Sequence, residues 1–414
     1  MTRWYVITLV SMANILNNYL WATWGPISQS VYLVYGWTDS TLFWVVNVGN
    51  ITGVLSAIIG IYLLDVKGIR ISMIVCTVTM VMTSLSRIIT INHRIATILI
   101  AIGQGLNGLS TSITMTIPCV VSQRWFKVTE RTTATAISAL SATLGAAGAF
   151  LLAFGVSVFL AVCCIIYLPS KPHHAPSKSE TISKYSFNEG VRKLLRTPAM
   201  WHIAAVYAIP MGFYGNWSSI LDVVISKFGI KQDEAGWMSF YGGLAGVAGG
   251  LFMGRMADYF KRKMKIIVII LYTLTTAMFT WFTCMCTNII PPSKWAFYTT
   301  LIMSNIFISS SSPLFLEMSC ETSYPIAEGV TAGFLGMAVN LGATVFMCVE
   351  LVPNIDTGWA NWALVAVYIL SIPALVLFKA EYRKVDIDIH INQQNNQLND
   401  DTILQNDANK MSVD

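Results

Sequence analysis

The sequence predicts an all-α polytopic membrane protein made of two related halves with six spans each. Three observations carry that prediction. The 414-residue chain is 55% hydrophobic and only 11% charged, with a mean hydropathy of +0.60, more apolar surface than a soluble fold of this size can cover with polar groups. Apolar runs long enough to cross a hydrocarbon core of about 30 Å recur along the whole chain. A charged cluster, Asp65-Val66-Lys67-Gly68-Ile69-Arg70, has a counterpart in Gly254-Arg255-Met256-Ala257-Asp258 with Lys261-Arg262-Lys263. Each cluster falls between the second and third spans of its half, the mark of a duplicated transporter whose halves rock against each other.

The spans are expected at about 4–33, 42–64, 69–90, 95–121, 132–152, 154–168, 199–225, 234–257, 265–286, 295–316, 329–352 and 359–379. The first is too long for a signal peptide's apolar region and has no cleavage site. In it, Asn17, Trp21 and Trp24 share one helix face. Amides are costly against lipid, so that face is expected to look inward, and Pro26 to allow a kink. Asp65 is expected to cap a neighbouring helix or to pair with Arg70 or another basic residue, latching the inner face. In the fourth span, Gly103-Gln104-Gly105-Leu106-Asn107-Gly108 combines close helix approach with two amides. Gln104 and Asn107 there either join helices or touch solute.

The fifth and sixth spans are short. Thr132 to Leu168 is 37 residues, for two crossings that ordinarily take about 20 each. A tight, incomplete hairpin near Ala153 to Gly155 keeps the later spans in orientation. One long helix would instead put Lys171 to Arg196 and Arg255 to Lys265 on the far side, against the charge rule.

Segment 169–198 is a basic inner linker between an amino-terminal half (1–168) and a carboxy-terminal half (199–384), and 385–414 is a polar tail expected to be disordered. In the seventh span, Tyr214 and Asn216 are expected across the midplane from the first span, where aromatic walls and amides suit a flat or cationic organic solute. Asp222 lies near its outer end as an outer-gate candidate. Asp258 is the second half's counterpart of Asp65. Ser309 to Ser312 can satisfy backbone freed by Pro313. Glu317, Glu321 and Glu328 cluster at the inner ends of the tenth and eleventh spans. Burial raises a carboxyl pKa, so Glu317 or Glu321 can trade a proton, while Glu328 reads better as a latch.

With the amino terminus inside, only Arg87, Arg94, Lys227, Lys231 and Lys294 of the 26 Lys and Arg fall near the outer face. This supports an even number of spans with both termini cytoplasmic. The net charge of +5 lies in short loops and does not point to nucleic acid. The eight cysteines read as packing residues. His173-His174 reads as solvated loop, and no metal or cofactor is expected. No Ser/His/Asp set or nucleotide motif is present, so neither an enzyme nor a self-contained ATP-driven pump is expected.

Several stretches, in order, span nearly the whole chain: Trp21-Ala22-Thr23-Trp24-Gly25-Pro26-Ile27, the Asp65 cluster, the Gly103 to Gly108 run, Arg124-Trp125-Phe126 before Glu130-Arg131-Thr132, and Glu321-Thr322-Ser323-Tyr324-Pro325-Ile326-Ala327-Glu328-Gly329. In these the chain resembles the major facilitator superfamily and, within it, solute carrier family 49. The resemblance implies a major facilitator fold and a uniporter or proton-linked carrier working by alternating access. Family members are described as carrying choline and ethanolamine or as associated with heme, and one branch is lysosomal and linked to proton-driven pyridoxine movement. In the choline-carrying members a first-span tryptophan and a seventh-span tyrosine enclose the quaternary ammonium, and Trp21 and Tyr214 look like their counterparts. Those members place a glutamine where this chain has Thr111, so a pyridoxine-like vitamin ranks before choline or ethanolamine, and heme last. The lysosomal branch carries a dileucine signal that does not appear here, leaving lysosome and plasma membrane both open. A receptor or scaffold that kept the fold without transport is the rival from another class.

Overall fold

A computed structural model of the chain describes residues 2–24, 28–90, 92–141, 150–169, 185–350, 358–379 and 382–383. The first half holds α1 (Thr2–Ala22), α2 (Ser28–Tyr35), α3 (Asp39–Tyr62), α4 (Ile69–Ser86), α5 (His93–Trp125), α6 (Arg131–Leu140) and α7 (Phe150–Ile166). A linker helix, α8 (Phe187–Leu195), precedes the second half. That half holds α9 (Pro198–Trp217), α10 (Leu221–Ser226), α11 (Gln232–Tyr259), α12 (Met264–Cys286), α13 (Lys294–Ser323), α14 (Glu328–Glu350) and α15 (Gly358–Leu377). Among the described residues seven helical segments are long and apolar enough to cross a membrane. The more polar α1, α9 and α11, of 21, 20 and 28 residues, are also long enough, at about 30 Å or more for 1.5 Å per residue.

Local chemistry sets the boundaries. Thr38 caps α3, its hydroxyl accepting from the Thr41 N–H at 3.4 Å, and Asn92 caps α5 through the Ile95 N–H at 3.4 Å. At the Asp65 cluster α3 loosens into a π turn, Leu63–Lys67. Gly68, at φ 87°, then lets the chain turn and restart as α4. The first predicted span, 4–33, is two helices instead, α1 ending at Ala22 and α2 starting at Ser28. Pro26, His173-His174 and the polar tail lie outside the described residues. The linker is helical near its end, where Gly190 and Leu194 of α8 are buried and Phe187 meets Tyr62 edge-on.

The shortened pair of spans keeps its orientation. α6 starts at the basic end of the bundle, where Arg3 pairs with Glu130 at 2.9 Å. α7 returns to that end, its Ile165 and Tyr167 carbonyls accepting from Arg70 at 2.8 Å and Tyr5 at 3.0 Å. The reversal is not at Ala153 to Gly155, however. α7 runs unbroken from Phe150, and the Ser157 hydroxyl bonds back to the Ala153 carbonyl at 2.6 Å. Residues 142–149, between the two helices, lie outside the described residues.

Each half has its own apolar core, and α3, α5 and α6 pack against α11, α13 and α14 of the other half. Lipid tails give helices no hydrophobic reason to associate, so close backbone approach takes over. Gly212 is such a point: a Cβ there would meet the Ala343 nitrogen and the Val339 carbonyl, each at 2.6 Å. Gly212→Ala should therefore push α9 and α14 apart and cost about 1–3 kcal/mol. Gly236→Ala, whose Cβ would meet nothing within 4 Å, serves as the control. Melting temperatures in detergent check this; equal effects of the two substitutions would refute it.

Candidate functional site

The two halves are joined by side chains at their basic ends. Asp258, at the end of α11, reaches the amino terminus of α6 in the other half. Its Oδ1 accepts from the Thr132 N–H at 3.0 Å, and its Oδ2 from the Thr133 N–H at 3.0 Å and the Thr133 hydroxyl at 2.6 Å. A carboxylate there satisfies orphan N–H groups and meets the positive end of the helix dipole. Asp65 takes the corresponding place in the first half. It forms an ion pair with Arg124 at 3.5 Å, and a Cβ on Gly329, in the first turn of α14, would lie 3.7 Å from its own Cβ. Arg70, the basic partner named from the sequence, instead donates to Ile165 of α7.

Deeper in the same seam, Gln123 of α5 donates to the Glu317 carboxylate of α13 at 2.7 Å, and the Cys119 and Cys320 sulfurs lie 2.9 Å apart. Glu321, Glu328 and Arg131 are all buried there and engaged. Sequence reasoning proposed the carboxylates and missed Gln123 and Arg124 as the partners of Glu317 and Asp65. Polar side chains within so apolar a stretch were the available signal.

Between this seam and the opposite end, α1, α3 and α5 form a wall. Gln104, Asn107 and Thr111 lie on one face of α5, with Asn17 donating to the Thr111 hydroxyl at 3.1 Å. Trp21 is half-buried, its ring so close to α3 that a Cβ on Gly49 would come within 2.7 Å. Trp24 is not on this wall. It is buried against Trp37, with ring centres 5.7 Å apart, and beneath the Arg87 guanidinium, 4.9 Å from its ring centre. The structure adds Asn47 and Asn50 of α3 and Asn340 of α14, all buried, each with an amide atom that lacks a partner among the described residues. Asn47 and Asn50, at i and i+3 on α3, were the available signal; Asn340, alone on α14, gave no pattern to read.

In the second half Tyr214 donates to Asn305 at 2.7 Å and packs on Trp217 and Phe279. No ring contact joins it to Trp21 among the described residues. Asn216, expected on the wall, is buried and ties α9 to α14 through the Ala343 carbonyl at 2.6 Å. Asp222 sits in the first turn of α10 with its carboxylate on backbone N–H groups of that turn. A cleft of about 880 Å³ between α11 and α13, lined by Tyr241, Trp295 and Tyr298, lies apart from all these residues. Among the described residues no three His, Cys, Asp or Glu side chains converge as metal ligands.

The sequence matches the Major Facilitator Superfamily model over residues 7–347 and again over 211–398. It is 29% identical to the solute carrier family 49 member 4 homolog of Xenopus tropicalis, across 94% of this chain and 93% of the relative. It is 23% identical to the choline/ethanolamine transporter FLVCR1 of Felis catus, across 94% of this chain and 75% of that one. Among solved structures, the proton:xylose symporter XylE bound to 6-bromo-6-deoxy-D-glucose superposes with a TM-score of 0.71, at 12% identity, over 94% of this chain and 99% of that chain.

Asp258→Ala should weaken the closed seam by about 1–3 kcal/mol, and Asp258→Asn, which keeps one acceptor oxygen, by less. Labelling of Cys119 and Cys320 by a membrane-permeant maleimide should rise slightly in Asp258→Asn and most in Asp258→Ala, because both thiols are buried while the seam is closed. Labelling that stays at the wild-type rate in the alanine variant would remove Asp258 from the seam.

Proposed function

The chain belongs to the major facilitator superfamily, multi-pass membrane transporters rather than enzymes, and we propose that it carries a small organic solute by alternating access, with a pyridoxine-like vitamin ranked first. The observation that carries this reading is the sealed seam. Hydrogen bonds between the halves gather at the basic end, at Asp258, Gln123 and Cys119, while the amide-rich wall of α5 and the Tyr214 cluster lie beyond it. A bundle closed at one end by a few polar bonds can exchange that closure for one at the other end. We take the basic end as cytoplasmic, following the charge rule, and leave the membrane as lysosomal or plasma. Trp21, Asn17, Gln104, Asn107 and Tyr214 are the residues assigned to the solute. Asn216 and Trp24 hold helices in place.

Choline or ethanolamine is the second reading, supported by what the relatives' names say they transport. Heme ranks third. Glu317 and Glu321 are assigned to proton coupling, because they are carboxyl groups buried in the seam that must open. A non-transporting receptor with the same fold remains the rival class.

Liposomes holding the purified protein should take up labelled pyridoxine saturably, and faster with a pH gradient. Choline and heme run in parallel test the other readings. No flux of any of the three would favour the receptor. Trp21→Ala or Tyr214→Ala should weaken apparent affinity about two- to thirty-fold, as loss of one aromatic contact implies, with unchanged surface expression; wild-type affinity in both would remove the site. Glu317→Gln and Glu321→Gln should flatten the pH profile of flux. A profile that keeps its shape in both leaves these residues a structural role.

A further inference from the structure

We propose that Gln104 is the residue that selects the solute, by donating a hydrogen bond to it, and that Arg87 is the positioning residue that fixes Gln104 as a donor. This rests on the solute wall described under Proposed function. A guanidinium has only donors. The Gln104 atom 3.1 Å from Arg87 Nη2 is therefore the amide oxygen, and the amide nitrogen must point elsewhere. Arg87 is not free to turn away. Its Nη2 also donates to the Leu20 carbonyl, its Nη1 reaches the Thr23 hydroxyl at 3.4 Å, and its plane lies against Trp24. The bound oxygen thus turns an ambiguous amide into one of known polarity.

Gln104 is fully buried and its Nε2 has no partner among the described residues. The same holds for both amide atoms of Asn107, one turn along the same face of α5. A buried donor without an acceptor costs about 1–3 kcal/mol, so such atoms are normally met by water or by a ligand. The site therefore asks for an acceptor at Gln104, such as a carbonyl, a hydroxyl or a ring nitrogen. Arg87 adds a buried positive charge behind it, which disfavours a cation brought close. A neutral or anionic solute rich in acceptors suits this wall better than a quaternary ammonium.

Gln104→Glu tests the polarity directly. It keeps shape and keeps an oxygen for Arg87, but replaces the solute-facing donor with an acceptor. Apparent KM for pyridoxine and for choline is measured in liposomes. In Gln104→Glu the KM for pyridoxine should rise at least about tenfold, the loss of one such hydrogen bond, while choline uptake improves or first appears. Arg87→Gln, which frees the Gln104 amide to turn, should move the ratio of the two KM values part of the way in the same direction. That ratio does not depend on how much of a variant folds. A ratio unchanged in Gln104→Glu overturns the proposal, and so does wild-type protein that does not bind pyridoxine saturably. Trp21→Ala separates the two levels. If it alters neither KM, the wall itself is misassigned; if it alters both while the Gln104→Glu ratio stays put, only the present inference fails.

Discussion

The contact on which the assembly turns is the carboxylate of Asp258 at the amino terminus of α6. A membrane helix satisfies its backbone internally except at its ends, so the ends are where one half can grip the other without exposing polar groups to lipid. Asp258 supplies three acceptor bonds at one such end, and Asp65 sits against the corresponding turn of α14. The duplication explains why both contacts exist: the same loop of each half meets the same helix start of the other. Because the polar bonds at this joint are few, it holds the closed state and still can be broken.

That choice shapes everything between the joint and the opposite end. Within each half, helices approach through glycine and serine, as where Gly108 would bring a Cβ to 2.5 Å from the Gly49 carbonyl. These contacts tolerate no insertion and make each half a stiff body. Across the halves, Ile61 and Cys119 join the core of the second half from the first, and a Cβ on Gly250 would meet Leu140 and one on Gly254 the Ala136 methyl group. Stiff halves with a breakable joint are what rocking requires. The wall of α5 amides, held by Arg87 at one end and by Asn17 at the other, stays with its own half throughout.

Much of this was legible in the sequence, and for identifiable reasons. Hydropathy and length gave the spans, and the repeated Asp65 and Asp258 clusters gave the duplication, because burial in lipid leaves few places for charge. The shortness of the fifth and sixth spans was a matter of counting residues. Its turn was misplaced because Ala153 to Gly155 look like a break only to local propensity, whereas α7 is held as a helix through that point by its packing along α1 and α4. Asn216 and Trp24 were assigned to the wall because a helix wheel cannot say which neighbour a face meets.

The sequence by itself therefore determined what each helix must avoid: lipid for amides and carboxylates, water for the apolar runs. Only the tertiary structure decided partners. That Asp258 meets α6 across 125 residues or more of chain, that Gln123 rather than an arginine bonds Glu317, and that Arg87 orients Gln104 are facts about helices brought together from distant parts of the sequence. Periodicity fixes the face on which a side chain stands; the identity of the facing helix follows from how the whole bundle packs, which no local pattern encodes.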